Sequence, residues 1–432
     1  MVGPVDALKS AYRKEYERNP VFTLFLTILI VFFMIFVIAA FITGGDTIYN
    51  VLNANRSYVF SDFFESVATS NNRLYNVIYP PLIVVFYLVI RHFVTPYVDI
   101  PPGASVDEQM MLLRGSQMGI MLFVVITLVT FYVLYLVFSK TTKEEGIRKG
   151  LLFAFLVLLA YPFLYALERG NSIIMALVFC FIFLLGYRSE NKYIRYASYI
   201  ALGCAAGIKI YPAILGLLIL RDRNYKEMAK CVLIVAILAF VPFLITGGTP
   251  LLLLDNILSW SAASLGFTNI SQIVTAILQE GLGMASGTVS IISYVFLGIF
   301  TLLSFIVILF DKEMKFWKVI ALIGCNLILG FGIGVQYQII YMLPAMLLFL
   351  NSERELTRGN LFYIICFAMM MVLIPGIVSG VSLFGAAAYP SAAIGAMESF
   401  FVILVAIALL HEGIARLCRN RRGTSPETDA AA

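Results

Sequence analysis

The residues able to do chemistry fall into four short polar blocks in an otherwise apolar chain. The first follows the opening apolar run: Gly45-Asp46, then Ser61-Asp62-Phe63-Phe64-Glu65, Tyr75 and Ile78-Tyr79-Pro80-Pro81-Leu82. The second is Leu167-Glu168-Arg169-Gly170-Asn171, and the third Ala205-Ala206-Gly207-Ile208-Lys209-Ile210-Tyr211-Pro212. The fourth is Gln336-Tyr337-Gln338 with Tyr341 and Pro344. Asp46, Asp62 and Glu65 are carboxylates able to accept a proton. Lys209 and Arg169 are cations that are costly at membrane depth without an anionic partner, which makes them candidates for holding one. Each also has a plainer reading. Asp62 could cap a helix or sit solvated in a loop, and Asp46 follows Gly44-Gly45 where a capping role is common. Lys209 could snorkel or pair with Glu168, and Glu168 could simply neutralise Arg169. Asn171, Gln336 and Gln338 could bond between helices, while Tyr79, Pro80 and Pro81 could only set a helix start.

The elements that position these blocks belong in a membrane. Of 432 residues, 61% are hydrophobic and 13% charged, which excludes a water-soluble enzyme. The net charge of +5 comes with no long basic run, so no nucleic-acid partner is expected. The six cysteines lie in apolar runs or beside basic residues, and His92 and His411 are far apart, so neither a disulfide framework nor a metal site is expected.

Spans of about 20 apolar residues cross a hydrocarbon core of about 30 Å, and Lys and Arg gather on the cytoplasmic side. The basic clusters at 9–18, 140–149, 188–195, 221–230, 312–318, 354–358 and 416–422 then share one face. The turns at 44–114, 168–171, 208–212, 246–288, 336–338 and 379–389 share the other, and all four polar blocks fall there. This predicts an all-α polytopic membrane protein of about 12 transmembrane helices, several of them short. Residues 1–412 form one integral-membrane domain with a cytoplasmic N-terminus at 1–20, and 413–432 a cytoplasmic tail expected to be disordered. The large first external loop, 44–114, carries juxtamembrane helices, the apolar stretch 81–94 among them. Residues 197–208 are too short to cross, at about 18 Å, so the tip at Lys209 to Pro212 lies at membrane depth beside an externally open cavity.

The ordered blocks resemble the C-type glycosyltransferases, integral-membrane enzymes that use polyprenyl-phosphate sugars, and within them the bacterial polyprenyl-phosphate-mannose α-1,2-mannosyltransferase family. The Glu168 to Asn171 turn resembles that family's Gly-Gln-x-Asn turn, 205–212 its A-x-x-K-x-x-P block, and 336–344 its late Tyr-Pro helix. The chain departs from the pattern at Arg169, where Gln is more usual, and lacks the Tyr that often follows four residues after the early Asp.

The resemblance implies an inverting transfer of a sugar, mannose by preference, from a polyprenyl-phosphate donor to a glycolipid or glycan acceptor on the external face of the plasma membrane. It implies Asp62 as general base, Asp46 as the fallback, and 44–114 as the catalytic loop. Lys209 and Arg169 would hold phosphate, and Asn171, Glu168, Tyr79, Tyr211, Gln336, Gln338 and Tyr341 would line the substrates. One carboxylate is enough, because a lipid phosphate with a second pKa of about 6 leaves without a general acid. No cofactor and no metal are implied, and a monomer in membrane lipid is expected. The rival reading is a secondary transporter or flippase for a lipid-linked sugar, since broken helices around a midplane cation also serve transport. A scaffold of a glycan-assembly complex is the third. Against transport, the four blocks differ from one another, and the large first loop has no counterpart in the second half.

Overall fold

The computed structural model describes residues 4–48, 59–71, 77–141, 147–263, 270–330, 336–373, 382–383, 386–387 and 390–422. Tyr75 lies outside them. The regular elements of the described residues are helices, apart from a two-residue antiparallel pairing of Ser382–Leu383 with Ala386–Ala387. Five helices are long and apolar enough to cross a membrane: Pro20–Ile42, Gln117–Ser139, Tyr225–Thr246, Ser286–Phe310 and Ile394–Asn420. A sixth crossing is available if Lys149–Leu158 and Tyr161–Arg169, bent by 52°, count as one. The bend falls at Pro162, which lacks the N–H that would continue the first helix. Against an expected count of about 12, these described residues supply five such helices, or six with the bent pair. Charge bookkeeping counts crossings, whereas the remaining apolar helices, such as Pro81–Tyr97, Ile173–Gly186 and Phe316–Gly330, are only 10–17 residues long.

Two boundaries move. The helix before Lys209 starts at Lys192, not 197, because the Asn191 side chain accepts from the Tyr193 N–H at 2.9 Å and caps it there. The last helix runs from Pro390 to Arg422, so residues 413–422 continue it where the sequence suggested a tail. Arg416 explains why: its guanidinium reaches Asp311 at 2.8 Å and Glu412 at 2.5 Å, ordering a turn that composition alone reads as solvated.

Most of the basic clusters meet one another. Arg188 grips Asp222 at 2.7 and 2.8 Å, Lys315 pairs with Glu353 at 2.7 Å and Lys318 with Glu412 at 2.6 Å. Lys149 pairs with Glu15, tying the segment after 141 to the N-terminal helix. The main core packs Trp317 against Phe349 and Tyr363, with ring centroids 4.9 and 4.8 Å apart.

A second cluster fastens the first loop to the bundle. Phe63, Phe64, Val67, Tyr87, Leu113, Phe123 and Ile208 are all buried there. Phe63 meets Phe123 at 5.1 Å and Tyr87 at 5.6 Å. The helix Pro81–Val94, which starts on a proline pair suited to a first turn, crosses Lys192–Ile208 at Gly207. A Cβ built on Gly207 would sit 2.5 Å from Leu82 Cδ2 and 2.8 Å from Leu82 Cβ. Gly207→Val is therefore expected to lower stability by about 1–3 kcal/mol through overpacking. Thermal unfolding of the detergent-solubilised protein checks this, and an unchanged midpoint would show that the two helices are not held at this distance.

Candidate functional site

The site is built where three of the blocks meet. Asp62 stands in the first turn of the nine-residue helix Ser61–Thr69, whose preceding residue, Phe60, is left-handed at φ 58°. No side chain caps that helix. Instead the Phe60 N–H donates to the Glu168 carbonyl at 2.7 Å, docking the helix start onto the second block. Both Asp62 oxygens are then taken: Arg169 Nη2 lies 2.6 Å from Oδ1, and Asn171 Nδ2 donates to Oδ2 at 2.6 Å. The Asp62 side chain is only 12% exposed, so these two donors replace most of its water.

The turn that aims both donors depends on Gly170. Its φ is +67°, which favours glycine, and a Cβ there would meet Phe63 Cβ at 3.0 Å and Phe60 Cα at 3.2 Å. Asn171 is fixed from its other end, since its Oδ1 accepts from the Ile173 N–H at 3.0 Å at the start of the next helix.

The third block supplies Lys209, whose Nζ lies 4.4 Å from the centroid of the Tyr79 ring and within electrostatic reach of Asp62. Burial pushes the Tyr79 phenol well above its ordinary range and the Asp62 charge adds to the effect, so at neutral pH the ring is neutral. The three cationic or carboxylate groups, Asp62, Arg169 and Lys209, thus share one locality with Tyr79.

The other expected residues are placed less uniformly. Glu168 is buried beside Arg169 with Oε1 lacking a hydrogen bond. Tyr211 packs edge-on to Tyr341 at 5.5 Å, and the buried Gln338 Oε1 and Tyr341 hydroxyl make no well-formed hydrogen bond. Gln336 packs its side chain onto Gly395 of the last helix. Asp46 is exposed after the first span, and among the described residues no side-chain bond ties it to the Asp62 group. Arg169, a candidate for holding phosphate, has Asp62 as an ion-pair partner at 2.6 Å.

Tyrosines complete the group. Tyr165 stacks on Tyr337 at 6.0 Å and on Tyr161 at 5.7 Å, and the charge of Asp62 reaches both Tyr165 and Tyr337. The spacing 161, 165, 169 puts all three on one helix face, a signal that would have found Tyr165 from the position of Arg169. Glu398 gave no such signal. It is wholly buried in the last helix near Tyr161, and among the described residues neither carboxyl oxygen has a hydrogen bond.

The profile of glycosyltransferase family 87 matches residues 77–327, more than half of the chain. Arg169, Asn171, Lys209, Tyr79 and Tyr211 fall inside the match; Asp62 precedes it, and Gln336 to Tyr341 follow it. No curated protein and no solved structure matches the chain.

Two substitutions probe this arrangement by thermal unfolding. Gly170→Ala is expected to cost about 1–3 kcal/mol by combining a disfavoured φ with a close contact. Glu398→Leu is expected to raise the midpoint, because it removes an orphaned buried acid worth about 1–3 kcal/mol of penalty. A lower midpoint for the leucine variant would mean that the carboxyl has a partner.

Proposed function

The chain belongs to glycosyltransferase family 87 and is a membrane glycosyltransferase; on that premise we propose that it transfers a sugar, mannose in our reading, from a polyprenyl-phosphate donor to a glycolipid or glycan acceptor on the external face of the plasma membrane. The observation that carries the reading is a mostly buried aspartate gripped by Arg169 and Asn171 within electrostatic reach of a lysine.

Asp62 acts as general base. As the acceptor oxygen attacks the anomeric carbon, Asp62 takes its proton and the bond from that carbon to the phosphate oxygen breaks, leaving its electron pair on the phosphate. The anomeric configuration inverts. Lys209 receives the negative charge that gathers on the departing phosphate, the place where a fixed cation lowers the barrier most. Arg169 and Asn171 hold the base in one orientation, and this reading takes Asp62 rather than Asp46, which is exposed and among the described residues has no side-chain bond to this group. Neither a cofactor nor a metal is called on.

The carrier chain has a place to lie. An apolar cavity of about 470 Å³ is lined by Pro80, Pro81, Ala206, Ile210, Val235 and Phe240, among others. Two of its lining residues, Pro80 and Ile210, directly follow Tyr79 and Lys209 in the chain, which suits a prenyl tail whose phosphate sits at the lysine.

The test is transfer of radiolabel from polyprenyl-phosphate-mannose to endogenous lipid acceptors by purified wild type and Asp62→Asn, each with and without chelator. Wild-type transfer should survive chelator and fall by about 10²–10⁴-fold in the variant. Glucose, galactose and arabinose donors follow if mannose is not moved. Movement of a sugar lipid across vesicles with no transfer from any donor would replace this reading by transport.

A further inference from the structure

The helix that carries Asp62 has only nine residues, too few to persist by backbone propensity, and it leaves its final carbonyls without helical partners. Arg91 takes them. Its Nη1 donates to the Ala68 carbonyl at 2.6 Å and the Val67 carbonyl at 3.2 Å, while Nη2 donates to Gln109 Oε1 at 2.9 Å. Gln109 is itself anchored through Nε2 to the Ala104 carbonyl at 2.8 Å. A cation at a helix C-terminus also suits the helix dipole, whose other end carries Asp62.

Arg91 sits on Pro81–Val94, the helix that begins at the Tyr79-Pro80-Pro81 segment. One turn earlier on that helix, Tyr87 meets Phe63, so the Asp62 helix is pinned to it at two levels. One rigid element thus carries at one end the ring over Lys209 and the edge of the apolar cavity, and at the other the clamp on the base's helix.

We propose that Arg91 is a positioning residue: by holding the carbonyls of Val67 and Ala68 it fixes Asp62 at a set distance from the donor's phosphate site. This rests on the transferase reading above. Loss of the clamp loosens the base without touching the donor's contacts, so the chemical step suffers and donor affinity does not.

The experiment compares wild type, Arg91→Met, Arg91→Lys and Gln109→Leu as full chains in detergent. Amide hydrogen exchange is followed by mass spectrometry over 61–71 and 161–171, and donor kinetics use polyprenyl-phosphate-mannose. Arg91→Met should speed exchange in 61–71 by about tenfold or more and leave 161–171 unchanged. Its kcat should fall by at least about tenfold with donor KM within about threefold. Arg91→Lys should restore part of the loss, and Gln109→Leu should show a smaller defect of the same kind. Unchanged exchange in 61–71, acceleration everywhere, or a rate loss equal to the loss of folded protein overturns the proposal. A wild type that transfers from no donor sinks the transferase reading and, with it, the catalytic role of Arg91, whereas the exchange result separately decides whether the clamp exists.

Discussion

A carboxylate withdrawn from water must be compensated at once, and in this chain the compensation of Asp62 organises the surroundings. Its two oxygens draw one donor from the end of one helix and one from the residue that starts the next. That requires the intervening residue to turn left-handed and to lie flat against the phenylalanines of the Asp62 helix, which Gly170 alone in the turn can do. The aromatic cluster of Phe60, Phe63 and Phe123 then closes over the turn, with Phe60 and Phe123 only 4.3 Å apart. Removing one donor leaves a partly buried charge facing apolar rings, so carboxylate, turn and cluster stand or fall together.

Much of this was legible from local composition. The polar blocks, the Lys209 tip and the helical class follow from hydropathy and charge, because each depends on a few consecutive residues. What the sequence did not disclose is who pairs with whom. Glu168 is adjacent to Arg169 and is its obvious partner, yet the ion pair forms with Asp62, 107 positions away. The choice is made by the Gly170 turn and by the docking of the Phe60 N–H on the Glu168 carbonyl, both tertiary facts. Arg416 misleads in the same way: it reads as one charge in a solvated run until the helix after 390 brings it to Asp311.

The described residues reach five long apolar helices, or six with the bent pair, rather than about 12 for a related reason. Crossings were inferred from alternating charge, but the length of a helix is set by where its hydrogen bonding is interrupted, and prolines at 162, 212 and 344 each stand at the start of a new helical segment. The short segments that result leave backbone and side-chain polar groups at their ends, where a continuous helix would have satisfied its own backbone. The breaks that shorten these helices are thus the same breaks beside which the second, third and fourth polar blocks stand.

The ring of Tyr79 over Lys209 bears on turnover in the proposed reaction. An aromatic face attracts an ammonium ion by about 0.5–2 kcal/mol, far less than a phosphate does at contact. In that reaction the ring would yield to the donor and return when the lipid phosphate departs. The lysine would exchange one partner for another, so the spent carrier would leave by displacement without the full cost of exposing an uncompensated cation to hydrocarbon.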